Sequence, residues 1–389
     1  MKTTFKMKQV FERLPRTLLC GAFCFASIAA FATPTISDVK VTSVEPLGVA
    51  IDYTVSGATE ADVGQTLDVS MSVNGTNHVA RSFSDAADWV DGVHRVYWNM
   101  AKEGVAIEPT TATLTVAYPK YPRYCIIDLS GGSSAVSYPV VYTNTPPKDG
   151  FNTTEYKTTK LVLKRVDAGS FIMGSDQTNE AHRVKLTKPF YMGLFEITQK
   201  QWYQVMGSNP SYFSGNANPV EKVSYNDIRG SSSGAKWPTS SVVDSSSFLG
   251  KLRSRTGLEF DLPTEAQWEY TCRAGTKTTY SYGSSANGDY MWYTDNSSSE
   301  THEVGTKKAN PWGFYDMHGN VWEWCLDWHS SSTPSGGTDP KGSSSGSYRV
   351  GRGGSWSYYA SYCASSYRNY NYPSSSYYNL GFRLSRTLP

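Results

Sequence analysis

Charge is scarce in this sequence. Only 18% of its 389 residues are Asp, Glu, Lys or Arg, and the formal net charge at pH 7 is +2. Such a balance gives no electrostatic reason to expect a nucleic-acid or acidic-membrane partner. No two of the six histidines stand at the spacing of helical metal ligands, and the sequence has no phosphate-binding glycine loop and no Ser-His-Asp order. These absences argue against nucleic-acid binding, zinc-dependent hydrolysis, phosphoryl transfer and triad catalysis.

Long apolar runs are also scarce, with one exception near the start of the chain. Residues 18–31 are mostly apolar, they follow five basic residues, and Ala30-Phe31-Ala32 is a small-x-small sequence. This pattern predicts a signal peptide over residues 1–32 and export to the periplasm, the cell surface or the medium. No later stretch is long and apolar enough to cross a membrane. Cleavage leaves four cysteines, Cys125, Cys272, Cys325 and Cys363. Four cysteines can form disulfides in three full pairings.

The rest of the chain divides into two predicted domains. Residues 34–118 alternate apolar and polar side chains in short runs separated by Gly, Asn and Asp turns. This predicts an all-β sandwich of immunoglobulin-like or fibronectin-like type. Residues 119–155 are interpreted as a linker. Residues 156–389 mix strand patterns, Ser-rich loops and two helix starts of capping-box type, at Thr198 and Thr264, which indicates an α+β domain.

The tyrosine-rich segment, residues 357–379, is the most informative part of the sequence. It contains eight Tyr, seven Ser and three Asn, with one formal charge and no acid. Tyr offers a large, rigid, amphipathic contact at low entropy cost, while Ser and Asn supply adaptable hydrogen bonds, as in antibody paratopes. The composition therefore indicates binding rather than catalysis. The predicted ligand-binding positions are Ser357, Tyr358, Tyr359, Ser361, Tyr362, Ser365, Ser366, Tyr367, Asn369, Tyr370, Asn371, Tyr372, Ser374, Ser375, Ser376, Tyr377, Tyr378 and Asn379.

Six motifs follow one another in the second domain. They are FIMGS (171–175), PFYMGLFEITQKQW (189–202), LPTEAQWEY (262–270), NPWGFYDMHGNVWEWCLDW (310–328), RGGSW (352–356) and GFRL (381–384). In order and spacing they resemble the formylglycine-generating-enzyme, or sulfatase-modifying-factor, domain family over about residues 160–386. The resemblance implies a C-type-lectin-like fold of the α+β class, with long loops and little regular secondary structure.

The chain departs from the enzymes of that family at one decisive place. Those enzymes carry two catalytic cysteines a few residues after the RGGSW-type block, which bind copper and activate oxygen. Here the equivalent stretch holds one thiol, Cys363, whereas Cu(I) held in this way needs two soft thiolates. The resemblance assigns Cys363 instead to a structural disulfide with Cys272. We therefore predict no oxidase activity, no catalytic residue and no required cofactor.

The same resemblance implies a structural calcium site. Its four predicted ligands are Asp316, Gly319, Val321 and Glu323. Two would supply side-chain carboxylates and two would supply backbone carbonyls, toward the six to eight oxygens that Ca²⁺ takes. In the alternative interpretation Glu323 is buried between two Trp, and Arg352 or Arg383 balances its charge instead of an ion.

The C-terminal pattern resembles a second group, the variable proteins of diversity-generating retroelements. That group includes members with this fold, and their variable segment lies at the C-terminal end. Mutagenesis at template adenines turns Asn codons of AAY type into codons for Tyr, Ser, Asn and related residues. The resemblance thus makes the Tyr, Ser and Asn of the segment diversified positions. The scaffold positions that it implies are Gly353, Gly354, Trp356, Cys363, Pro373, Gly381 and Phe382.

Together these features predict an exported, non-catalytic protein that binds a protein or glycan ligand on another cell or a phage. Two alternatives come from other classes. A formylglycine-generating or related sulfatase-maturation oxidase would need a second thiol. A glycan-binding lectin of fixed specificity should pair its aromatic rings with a few placed carboxylates or amides, and the segment has no acid. A surface loop without a ligand is the plainest interpretation, but exposed aromatic clusters usually mark contacts.

Overall fold

The computed structural model describes residues 34–45, 48–58, 68–73, 76–79, 91–98, 112–117, 121–175, 181–331 and 336–388. The predicted signal peptide, residues 1–32, lies outside these ranges. Within them, no helix is both long and apolar enough to span a bilayer. The chain divides into two compact units. The first runs to Arg123 and takes in Thr143–Thr145, and the second comprises Tyr124–Tyr142 and Pro146–Pro389.

The N-terminal unit is built of β-strands, as the alternation in its sequence predicts. Its described strands are β1 (Thr35–Glu45), β2 (Gly48–Ser56), β3 (Asp68–Val73), β4 (Thr76–Val79), β5 (Gly92–Trp98) and β6 (Ala112–Ala117). They form two antiparallel sheets, in the orders β1-β2-β5 and β4-β3-β6. Val49, Ile51 and Tyr53 on β2 are buried together with Trp98 on β5, so this sheet has one apolar face, as a sandwich requires. The all-β prediction for this region is confirmed.

The second unit mixes strands, short helices and loops. Its strands are β7 (Tyr124–Asp128), β8 (Val140–Thr143), β9 (Lys160–Val166), β10 (Gly169–Met173), β11 (His182–Leu186), β12 (Phe190–Gly193), β13 (Trp322–Trp328), β14 (Gly337–Thr338), β15 (Arg349–Arg352), β16 (Asn369–Asn371), β17 (Leu380–Gly381) and β18 (Ser385–Thr387). Its α-helices are α1 (Thr154–Thr158), α2 (Gln199–Met206), α3 (Tyr225–Arg229), α4 (Phe248–Thr256) and α5 (Glu265–Arg273). Long loops join these elements, and the α+β prediction is confirmed.

The strands of the second unit form three sheets, in the orders β18-β12-β9-β7-β8, β16-β15-β13-β17 and β10-β11-β14. β7 is an interior strand of the first of these sheets, and Cys125 and Ile127 on it are fully buried. The interpretation of residues 119–155 as a linker is therefore wrong for β7 and β8. These two strands complete the five-stranded sheet of the second unit, because β7 pairs along its whole length with β9.

The two helices predicted from capping boxes are present. The Thr198 side chain accepts a hydrogen bond from the Gln201 backbone, and Thr264 does the same for Gln267. Each glutamine side chain in turn accepts a hydrogen bond from the cap backbone, which satisfies two otherwise unpaired N–H groups. α2 ends at Gly207, whose φ of 85° is a left-handed conformation that favours glycine. α5 is buried along its whole length, so it forms an inner wall of the unit.

Candidate ligand-binding surface

Strand β13 holds both ends of the tyrosine-rich segment. β15, which leads into the segment, pairs antiparallel with β13, and β17, which leaves it, pairs parallel with the same strand. Glu323 on β13 lies opposite Arg352 on one side and Gly381 on the other. The two ends of the segment are therefore fixed on either side of β13.

Buried ion pairs strengthen this attachment. The Glu323 carboxylate accepts hydrogen bonds from Arg383 at 2.6 and 2.7 Å and from the Trp268 indole at 2.8 Å. Arg352 forms an ion pair with Glu269, and all of these charged side chains are fully buried. Breaking such a pair leaves an uncompensated buried charge, so each pair fixes the geometry of its strands.

The one charged residue of the segment, Arg368, pairs with a buried residue of the same unit. Arg368 donates two hydrogen bonds to the fully buried Glu265 on α5, at 2.6 and 2.8 Å. Burial opposes ionisation of Glu265, but the Arg368 guanidinium outweighs it and holds the pKa of that carboxyl below its usual value. The segment therefore presents no unpaired charge of its own, and Arg368 pins its middle to the core.

Most of the predicted ligand-binding positions are accessible. Of the eighteen, nine are exposed, eight are half-buried and one is buried. The exposed positions are Tyr359, Ser361, Tyr367, Tyr370, Tyr372, Ser374, Ser376, Tyr377 and Tyr378. The half-buried positions are Ser357, Tyr358, Tyr362, Ser366, Asn369, Asn371, Ser375 and Asn379. The exposed tyrosines show between 37% and 69% of their surface to solvent, a large exposure for a side chain that usually packs inside.

Ser365 is the exception, and its assignment to the binding surface is wrong. It is fully buried, and its backbone N–H donates to the Thr279 carbonyl at 2.9 Å. It follows Cys363 and Ala364, which are also buried. This short stretch is therefore part of the scaffold, because it forms the inward-facing turn between two exposed stretches of the segment.

Aromatic rings cluster at three places on this surface. The central cluster consists of Trp322, Tyr358, Tyr362 and Tyr367, with neighbouring ring centroids 4.8–6.0 Å apart. Trp322 is buried, and the three tyrosines lie over it. Aromatic pairs at such distances add roughly 0.5–1.5 kcal/mol each beyond the area that they bury. Tyr358 and Tyr362 therefore support the neighbouring rings of this cluster.

The other two clusters include residues from outside the segment. The strand cluster consists of His329, Tyr348, Tyr370 and Tyr372, and the Tyr348 hydroxyl donates to the Tyr372 hydroxyl at 2.9 Å. The loop cluster consists of Tyr212, Phe213, Trp356 and Tyr378. Sequence analysis misses Tyr212, His329 and Tyr348, because only the folded chain places them beside the segment. The NPSYF run around Tyr212 gives no compositional signal of its own.

The structure pairs one predicted calcium ligand with an arginine, and calcium binding stays a prediction. Both carboxylate oxygens of Glu323 accept hydrogen bonds from Arg383. Asp316 is buried: its Oδ2 accepts the Gly305 N–H at 2.6 Å, and its Oδ1 has no hydrogen-bond partner among the described residues. The Val321 N–H donates to Glu196. No group of three or more His, Cys, Asp or Glu in the described ranges is arranged to hold a metal. The ion-pair alternative, with Arg383, describes Glu323 correctly.

The predicted Cys272–Cys363 disulfide is not formed. Both thiols are free and buried, and they face different neighbours: Cys272 Sγ lies 3.7 Å from His318 Nε2, whereas Cys363 Sγ packs against Gly354. His318 lies between the two, because its Nδ1 is 2.7 Å from the Cys363 carbonyl oxygen. A Cβ at residue 354 would come within 2.4 Å of the Cys363 sulfur, so only glycine fits there.

Burial also makes these thiols chemically inert. It raises the pKa of Cys272 and of Cys363 to about 12 each. The thiolate is the nucleophile and the metal ligand, so neither sulfur is reactive near neutral pH. Burial likewise lowers the pKa of His318 to about 4, so its ring is neutral and serves as a hydrogen-bonding spacer. Neither these two thiols nor His318 is poised for acid, base or nucleophilic chemistry near neutral pH.

Comparison with known proteins places the second unit in a family. Residues 150–388 match the sulfatase-modifying factor enzyme 1-like domain. The chain is 32% identical to chaperone protein LppX of Paenibacillus barcinonensis, over 50% of this chain and 78% of that protein. It is 30% identical to the formylglycine-generating enzyme of Mus musculus, over 58% of this chain and 74% of the enzyme.

A solved structure adds a second likeness. Treponema denticola variable protein 1 superposes with a TM-score of 0.51 and 31% identity, over 59% of this chain and 96% of that protein. Both resemblances seen in the sequence are confirmed, to formylglycine-generating enzymes and to a variable protein. Relatives of both kinds share the fold, so the residues at the site, rather than the fold, decide between catalysis and binding. The chain belongs to the sulfatase-modifying factor enzyme 1-like domain family.

Proposed function

We propose that this chain is an exported, non-catalytic binding protein whose tyrosine-rich segment is a diversified ligand-binding surface. The observation that carries the proposal is the exposure of six tyrosines on a segment whose ends and middle are fixed by buried ion pairs. Rigid scaffolding lowers the entropy that binding would cost, and tyrosine contributes large contacts with few rotatable bonds. The likeness to a variable protein supports the same function.

The exposed area suits a macromolecular ligand. A tyrosine buries about 150–250 Å² when fully enclosed, so six that are roughly half exposed offer about 450–750 Å². A standard protein interface buries about 800 Å² on each partner. Neither of two small clefts in the second unit is lined by residues of the segment. The segment therefore supports binding of a large surface rather than of a small molecule in a pocket.

The division between constant and diversified positions supports diversification. Six of the seven predicted scaffold positions are buried, whereas seventeen of the eighteen predicted diversified positions are exposed or half-buried. Exposed substitutions usually change stability by less than about 0.5 kcal/mol, so the surface can vary while the fold persists. The decisive observation is in the neighbouring DNA. A near-identical repeat of the coding segment, differing at adenines and next to a reverse transcriptase, would support diversification, and its absence from the genome would contradict it.

Catalysis by this chain is disfavoured by its chemistry. The lone thiol of the segment, Cys363, is buried with a pKa raised to about 12, and no second cysteine lies within the segment. Purified protein supplied with Cu(I), oxygen and a peptide containing CxPxR should produce no formylglycine by mass spectrometry. A formylglycine-generating enzyme run in parallel verifies the assay. Turnover above a protein-free control would overturn the non-catalytic proposal.

A further inference from the structure

Residues 208–216 form an exposed loop outside the tyrosine-rich segment but beside it. Tyr212 at its tip is 70% exposed, slightly more than the most exposed tyrosine of the segment, Tyr359, at 69%. Its ring lies 6.1 Å from the ring of Tyr378, and the neighbouring Phe213 packs edge-on against Trp356 at 5.3 Å. The loop therefore continues the aromatic surface of the segment without being part of it.

Two buried side chains hold this loop in place. Gln199 is 2% exposed, and its amide donates to the Phe213 carbonyl at 2.9 Å and accepts from Asn209 at 3.0 Å and from the Gly215 N–H at 3.2 Å. Glu221 is fully buried and accepts the Phe213 N–H at 2.9 Å. An exposed aromatic residue on a loop that is fixed in this way loses little further freedom when it meets a partner.

The chain that follows the loop is hydrogen-bonded to the segment. The Lys222 N–H donates to the Tyr377 carbonyl at 3.0 Å, and the neighbouring Glu221 accepts the Phe213 N–H of the loop. The loop and the exposed end of the segment are therefore held by adjacent residues. We infer that residues 208–216 form a constant arm of the same binding surface, with Tyr212 as a fixed anchor for a folded protein partner with an uncharged contact surface. This inference rests on the proposed binding function.

The chemistry of the surface favours a protein over a glycan. Small-molecule sites use a few precisely placed polar groups, but the segment has no acid and two of its three asparagine side chains already hydrogen-bond within it. The Asn379 amide donates to Ser357 at 3.0 Å, and the Asn369 side chain accepts the Tyr370 N–H at 2.8 Å. Tyrosine faces and hydroxyls remain, and these match the uncharged, hydrogen-bonding patches of protein surfaces.

The test uses displayed libraries of the whole chain. The diversified positions, except Ser365, are randomised to Tyr, Ser and Asn on three backgrounds: the natural chain, Tyr212→Ser and Tyr203→Ser. Tyr203 is the matched control, because it is 46% exposed on α2 and its described ring contact is with Lys200 rather than with the segment. Each library is selected against ubiquitin, a small folded protein, and against dextran, a neutral polysaccharide.

The inference predicts ubiquitin binders from the natural background, with affinities at least tenfold weaker on Tyr212→Ser and unchanged on Tyr203→Ser. Equal affinities on all three backgrounds would overturn the anchor while leaving the binding function intact. Binders to dextran alone would overturn the protein partner. Failure of the natural background to yield any binder would contradict the proposed function itself.

A second measurement tests the anchor without a substitution, in case Tyr212→Ser lowers the amount of protein displayed. Hydroxyl-radical footprinting of a ubiquitin binder selected on the natural background should protect Tyr212 in the complex and leave Tyr203 as reactive as in the free protein. Equal reactivity of Tyr212 in the free and bound states would overturn the anchor without any substitution.

Discussion

The layer beneath the tyrosine-rich segment and the surface above it have opposite compositions. Beneath it, Glu265, Glu269, Glu323, Arg352 and Arg383 are all fully buried and paired. Above it, the exposed side chains of the segment are tyrosines and serines. Charged side chains usually lie outside and are almost never fully buried unless paired, so this part of the molecule inverts the common arrangement. Directional ion pairs hold the backbone without using the outer side chains.

The largest expected effect comes from breaking the charged layer. Glu323→Ala removes the acceptor of Arg383 and of the Trp268 indole and leaves a buried guanidinium without its carboxylate. Loss of one partner of a buried pair costs about 3–5 kcal/mol. Urea unfolding of Glu323→Ala should show this loss. Glu259→Ala is the control, because its carboxylate is 78% exposed and should contribute within the range of a surface ion pair.

A substitution at the border between the two layers should cost somewhat less. Trp356 is 8% exposed and packs against Phe213 and Tyr378 at the start of the segment. Trp356→Ser leaves a cavity and should lower the free energy of unfolding by about 3 kcal/mol. A thermal melt measures the change. A normal melting temperature for this variant would mean that the border residue is not scaffold.

A pH-dependent effect of intermediate size is expected at Glu221. Burial raises the pKa of this carboxyl to about 7, and its Oε2 has no hydrogen-bond partner within the described residues. The pKa of the folded state lies above the ordinary value of 4.5, so the unfolded chain ionises first as the pH rises. Stability should therefore fall between about pH 4.5 and pH 7, by roughly 3 kcal/mol from this group, and level off above pH 7.

Glu221→Gln isolates that contribution. The variant keeps an acceptor for the Phe213 N–H but cannot ionise, so the difference in stability between it and the natural chain should change across this pH range. Urea unfolding at pH 5.0 and pH 7.5 measures it. A constant difference between the two proteins at both pH values would show that Glu221 does not titrate in the folded state as described.

The smallest effect on stability is expected on the outer surface. Tyr359 is 69% exposed, so Tyr359→Ser should change the free energy of unfolding by less than about 0.5 kcal/mol. The same holds for Tyr377→Ser, whose side chain is about half exposed. Calorimetry of the two single variants tests this expectation. A loss of 2 kcal/mol or more in either of them would place that tyrosine in the scaffold and blur the contrast between the two layers.

Local signals in the sequence predict much of this fold and surface, and long-range placement explains the rest. The capping boxes at Thr198 and Thr264 and the exposure of the segment follow from short patterns. The linker interpretation fails because the sequence shows a strand pattern at β7 but does not show that β7 pairs with β9. Tyr212 and Tyr348 could not be predicted for the same reason. Their ring contacts join residues more than twenty positions apart, and such contacts produce no periodic pattern in the sequence.

The disulfide prediction fails for a different reason, and calcium binding stays a prediction. Both are carried from relatives onto matching positions, and each depends on a second group that the sequence cannot place. His318 lies between the two cysteines, and Arg383 satisfies the carboxylate that an ion would need. The position of one imidazole or one guanidinium thus decides whether an inherited motif keeps its chemistry.

Both ends of the tyrosine-rich segment pair with β13 at Glu323, so the segment is a separable insert in the fold. A segment whose two ends both pair with β13 can be exchanged or lengthened without moving that strand. The reason is that the entropy cost of closing a loop grows slowly with its length. The pairing of β16 with β15 and the ion pair of Arg368 with Glu265 fix the middle of the segment and divide it into two parts. Insertions belong in residues 374–376, where the backbone has no strand partner and which precede the Tyr377 carbonyl that Lys222 binds. Grafted sequences should retain Cys363 and Arg368 as fixed points.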